Sequence, residues 1–177
     1  MKRTSLLLVA LVVAAPAIAQ ESKAAAPMGM VETMRRNFSY VGQMVTRSAE
    51  QMPEADYAFK PTPEVRSFGQ LLGHVADANH MFCALILGEA NPMLDIEKTK
   101  SSKADLVAAV KASYEYCGRA YALADADTAS TIQLFGQDWT RLSGLLLNIG
   151  HNWEHYGNIV TYLRLKGQVP PSSQPRE

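Results

Sequence analysis

The chain has 177 residues, with 17 basic side chains against 17 acidic ones, 47% hydrophobic residues and two cysteines. That balance excludes a polybasic nucleic-acid binder and an acidic tail, and the apolar fraction excludes a disordered chain. Two cysteines are too few for a disulfide-built scaffold, and the length fits one domain with its own core.

Residues 1–19 read as a secretory signal peptide. Lys2 and Arg3 precede an apolar run from Leu6 to Ala15, Pro16 breaks it, and Ala17-Ile18-Ala19 gives the small-x-small pattern of a cleavage site. The run is about half of the roughly 20 apolar residues that a spanning helix needs. The expectation is a periplasmic or secreted protein with no membrane attachment after cleavage. An oxidising compartment would allow Cys83 and Cys117 to pair. Residues 20–28 are small and polar and read as a flexible leader.

Four amphipathic segments follow in 29–169. In the first, Val31, Met34, Phe38, Val41, Val45, Ala49 and Met52 recur at helical spacing. Pro53, Pro61 and Pro63 then mark a loop, with Tyr57 and Phe59 as its anchors. The second helix starts near Ser67, carries Phe68, Leu71, Val75, Ala78, Phe82 and Leu85, and stops at Gly88. Ser102-Lys103-Ala104-Asp105 matches a capping box ahead of the third, whose stripe is Leu106, Val110, Tyr114, Cys117 and Tyr121. The stretch from Asp125 to Gln137 has no clear period; Ile132, Leu134 and Phe135 could dock a loop. The fourth helix carries Leu142, Leu145, Ile149, Trp153, Tyr156, Val160 and Leu163, and Gly167 with Pro170-Pro171 ends it. Residues 170–177 form a short tail. Four long helices without a convincing strand predict an all-α four-helix bundle.

The chemistry resides in four histidines. His151 and His155, four apart on the fourth helix, project from one face and can share one divalent ion. His74, beside Gly73 on the second helix, is the first candidate for a third ligand. His80 lies about 120° further round that helix and cannot easily join it. The stripe centred on Ile149 points away from the histidine pair, which therefore faces solvent or lines a cleft. The run from His151 to His155 also spells H-x-x-E-H, a protease pattern, but the only later carboxylate is Glu177, which leaves that reading without its third ligand. No phosphate loop, nucleophile elbow or basic aromatic patch is present, so nucleic acid is not an expected partner.

The segment from His151 to Ser173, HNWEHYGNIVTYLRLKGQVPPSS, resembles the C-terminal signature of the DinB/YfiT-like family. The segment from Phe68 to Ala76, with His74 after a Leu-Leu pair, and the proline-aromatic loop before it resemble the same family. The similarity spans about residues 29–173. It implies an up-down-down-up bundle and a divalent metal, nickel, zinc, iron or manganese, held by His74, His151 and His155. Some members of that family are metal-dependent thiol transferases or isomerases, and homodimers are common among them; the activity expected here is that of a metal-dependent hydrolase or transferase acting on a small molecule. Thiol-transferring relatives use mainly cytosolic thiols, which sits poorly with an exported chain. Two alternatives remain open: a non-catalytic, stress-related metal- or ligand-binding bundle, and a structural dimer with vestigial histidines. Glu154, Asp77, Tyr156 and Arg164 are candidate helpers at the site, with Asp77 one turn from His74 as a hydrogen-bond acceptor for a ligating imidazole. His80 has no assigned role.

Overall fold

The computed structural model describes residues 27–175; the expected signal peptide and most of the leader lie outside them. Four long helices, α1 (Met30–Gln51), α2 (Phe68–Leu87), α4 (Lys103–Gly118) and α5 (Arg141–Leu165), are joined by a four-residue helix α3 (Ile96–Thr99) and a hairpin of β1 (Thr131–Leu134) and β2 (Gln137–Thr140).

Helix ends follow local chemistry. Ser67 Oγ accepts from Gln70 N while the Gln70 side chain accepts from Ser67 N, so the reciprocal capping box is on α2. At α4 only half of the expected box forms: Ser102 Oγ accepts from Asp105 N. Gly88 adopts the left-handed conformation, φ 76°, that stops α2 as expected. The first turn of α1 is capped from afar, the Asp125 carboxylate accepting from Met30 N and Val31 N at 3.0 and 2.8 Å.

Cross-helix contacts fix the direction of each rod. Asn37 meets Trp153, and Gln51 meets Gln168, so α1 and α5 run parallel. Asn79 meets Ser113, and Cys83 meets Cys117, so α2 and α4 run parallel. Phe68 packs on Tyr162 while Cys83 lies near Asn148, so α2 opposes α5. Lys103 caps carbonyls of Glu50 and Met52 while Phe38 stacks on Tyr121, so α1 opposes the α4 direction. The result is the up-down-down-up, all-α bundle.

The core is built from the expected stripes. Val41, Val45, Leu72, Val75, Leu106 and Ile159 are buried together at one end, and Phe38, Ile86, Tyr121 and Leu145 at the other. Between the ends runs a polar seam. Asn152 Nδ2 donates to Asn79 Oδ1 at 2.8 Å, Tyr114 donates to Asn152 Oδ1 at 2.5 Å, and Asn79 Nδ2 donates to Ser113 Oγ at 3.1 Å. These groups tie α2, α4 and α5 together and satisfy one another, as buried amides must. Cys83 and Cys117 form a disulfide beside this seam, with Cα atoms 5.3 Å apart.

Two features depart from the sequence expectation. The uncertain stretch contains a hairpin: Ile132 and Leu134 are buried, while Phe135 and Gly136, both at positive φ, make the two-residue turn. A phenylalanine at a position that favours Asn or Gly hides this turn from a sequence pattern. α5 is also buried over a wider arc than its Ile149 stripe, since Ile159 and Tyr162 pack inward as well. Pro170 to Gln174 folds back on α1, with Ser172 N donating to the Tyr156 hydroxyl and Gln174 bonded to Gln51. Among the described residues no helix is long and apolar enough to cross a membrane.

Candidate metal centre

α2 and α5 cross with His74 opposite His151 and His155. Residues four apart on α5 stand one turn apart on one face, so His74 on the facing helix can reach both. The Nε2 atoms converge: His74 to His151 is 3.2 Å and His151 to His155 is 3.0 Å. All three ligand atoms lie within 4.8 Å of one another. Two nitrogens each about 2.1 Å from a tetrahedral ion lie roughly 3.4 Å apart, close to the His74–His151 and His151–His155 separations. The histidine pair faces α2 across a cleft rather than open solvent. His80 is elsewhere: it is buried against the Tyr116 ring, and its Nδ1 has no partner among the described residues.

Burial sets the protonation of the cluster. Desolvation, then the neighbouring imidazoles His155 and His74 and the charge of Arg66, push His151 down to about 3. Desolvation followed by His74 lowers His155 to about 4. His74 is lowered too, chiefly by desolvation and Arg66, with Glu97 opposing. All three rings are therefore neutral near pH 7 and offer lone pairs, the form a metal requires.

The outer nitrogens decide which tautomer is present. His74 Nδ1 lies 3.2 Å from Glu97 Oε2 and donates to it, which leaves Nε2 free of its proton. Asn158 Nδ2 sits 3.3 Å from His155 Nδ1; in this orientation it donates to Nδ1 and keeps the ring proton on Nε2, and turning the amide so that its oxygen accepts from Nδ1 frees Nε2 for a metal. His151 Nδ1 is buried without a partner, and its ring is held by packing on Phe82.

Glu97 was not among the sequence candidates. Asp77, the residue expected to accept from His74, instead accepts from Ile96 N and Glu97 N, both at 2.9 Å. It clamps the start of α3, and α3 in turn presents Glu97 to His74. Gly73 permits the approach, since a Cβ there would stand 2.6 Å from Glu97 Cα. A mid-helix glycine before the histidine was the available signal. Of the other helpers, Tyr156 bonds Ser172, while Glu154 and Arg164 are exposed.

A cleft of about 730 Å³ opens beside His155, lined by Lys60, Arg66, Glu97, Asn158 and Tyr162 among others. Arg66 Nε donates to Glu97 Oε1 at 2.8 Å, so both Glu97 oxygens are engaged.

A family model described as the DinB superfamily matches residues 37–159, a span that includes the whole histidine cluster. The chain belongs to the DinB superfamily. Solved structures agree on the fold. A DinB-like protein from Bacillus subtilis is 24% identical, with a TM-score of 0.67 over 82% of this chain and 99% of that one. A DinB-like protein from Bacillus cereus is 14% identical, with a TM-score of 0.68 over 79% of this chain and 95% of that one. A conserved protein from Enterococcus faecalis is 16% identical, with a TM-score of 0.66 over 78% and 98%. Among curated proteins there is no match.

Proposed function

We propose that this DinB protein binds one divalent metal ion through His74, His151 and His155 and acts on a small molecule held in the adjoining cleft, as a metal-dependent hydrolase or transferase. The observation that carries this is the convergence of three neutral Nε2 atoms from two helices. Three protein ligands leave room for an exogenous one. Imidazole nitrogen suits nickel, zinc and iron better than manganese, which prefers oxygen. When bound, such an ion supplies a Lewis acid that polarises a substrate group. The chain does the rest: Glu97 keeps the His74 tautomer, Asn158 holds the His155 ring once its amide oxygen is turned to Nδ1, and the cleft wall orients the substrate.

The disulfide joining α2 to α4 supports an exported location, because such bonds persist in oxidising compartments. One observation favours the non-catalytic alternative. Glu97, the carboxylate at the cluster, is bound on both oxygens and is not free to move a proton. Metal loading followed by an activity screen separates the two. Purified chain stripped with chelator and offered zinc should retain one ion per chain. Loaded protein that turns over esters, amides or thiol acceptors supports the enzyme; stoichiometric metal without turnover supports the binding bundle. A chain that retains no ion rejects both.

A further inference from the structure

The metal reading leaves a charge problem at the cleft, and one residue answers it. Lys60, Glu64, Arg66 and Glu97 are the charged side chains that line it, two of each sign. A divalent ion on three neutral imidazoles would add positive charge at the cleft, where Glu97, the carboxylate at the cluster, is already shared between Arg66 and His74. Such a site favours an anionic ligand.

Arg66 is placed to receive it. Its carbonyl accepts from the Tyr162 hydroxyl at 2.6 Å, which fixes its backbone to α5. Its Nε is committed to Glu97 Oε1 at 2.8 Å. Nη1 and Nη2 make no hydrogen bond among the described residues, and the side chain is 43% exposed at the cleft. The guanidinium is thus held at its base with its outer pair of N–H donors open, the arrangement that takes an oxyanion end-on. Through Glu97, which contacts both, it is linked to His74.

We infer that Arg66 is an anion anchor, and that the ligand of this cleft is a small molecule with a carboxylate or phosphate group seated on Nη1 and Nη2 while its other end faces His155, the cluster histidine that lines the cleft. This rests on the metal reading above.

The test uses the full chain loaded with cobalt, whose visible spectrum responds to ligands. Titration with succinate is expected to saturate at least roughly tenfold more tightly than titration with neutral succinamide, the margin of one charge-assisted hydrogen bond or more. Arg66→Gln should weaken succinate by a similar factor while cobalt affinity, measured by chelator competition, stays within about threefold. Phenyl phosphate in place of succinate tells which oxyanion is preferred, and Arg66-dependent binding of either supports the inference. Succinate that binds Arg66→Gln as tightly as the parent chain overturns it. So does a cobalt affinity that falls in step with succinate affinity, since Arg66 would then only prop Glu97. Full cobalt uptake without Arg66-dependent anion binding defeats this inference alone; no cobalt uptake defeats the metal reading and this inference with it.

Discussion

Glu97 Oε2 accepts from His74 Nδ1 across 3.2 Å, although the two residues sit on different helices and Glu97 belongs to a four-residue one. The contact depends on Asp77 clamping α3 and on Gly73 letting it approach. Partners of this kind typically contribute about 10- to 100-fold in metal affinity. Glu97→Gln should therefore weaken zinc by that order in chelator competition, with thermal stability little changed. Gly73→Ala should weaken zinc as well, because the added methyl pushes α3 away. Unchanged affinity in both variants would show that the carboxylate does not support the ligand.

The amide seam holds α5 at the height where His151 meets His74. Asn152 is fully buried and bonds Asn79, Asn148 and Tyr114. Asn152→Ala leaves several partners unsatisfied and opens a cavity, at a cost of about 2–4 kcal/mol in denaturant unfolding. A loss under about 1 kcal/mol would mean that the seam repacks or fills with water.

The disulfide links positions 34 apart in sequence. The loop-closure model gives such a crosslink about 3–4 kcal/mol through the unfolded chain. The double change Cys83→Ala, Cys117→Ala should lower the unfolding free energy by at least that amount, since both sites are buried. Reduction of the parent chain, followed by circular dichroism during heating, should show the same direction. A transition indifferent to reductant would contradict a closed bridge.

The buried imidazoles make the metal-free chain acid-sensitive. His151 at about 3 and His155 at about 4 lie below the ordinary 6.5, so between those values the unfolded chain binds protons that the folded chain refuses. Their contribution is fully present above about pH 6.5 and is lost as pH falls toward the folded values. The urea midpoint of the apo protein should drop across that window, and the slope should flatten in His151→Gln, His155→Gln. Equal slopes in the two proteins would contradict the burial argument.

Much of the bundle was legible because burial repeats at helical spacing: the stripes of α1, α2 and α4, the Ser67 start and the Gly88 stop coincide with the structure. The three histidines were legible for a related reason, since i, i+4 on one helix and a family-like segment on another nominate them without coordinates. What escaped is non-local or unusual in type. Asp125 caps a helix some 95 residues earlier in the chain, Phe135 takes a positive φ that its residue type disfavours, and Glu97 reaches its imidazole only through a tertiary clamp. The wide buried arc of α5 was masked because Asn148, Asn152 and His155 are polar yet face the interior.

The most direct measurement is X-ray absorption at the zinc edge of the loaded chain, with His74→Ala and His80→Ala beside it. The account predicts one zinc per chain with three imidazole nitrogens about 2.0–2.1 Å away, one fewer in His74→Ala, and no change in His80→Ala. Fewer than three imidazoles in the parent protein, or a ligand lost with His80, would contradict it.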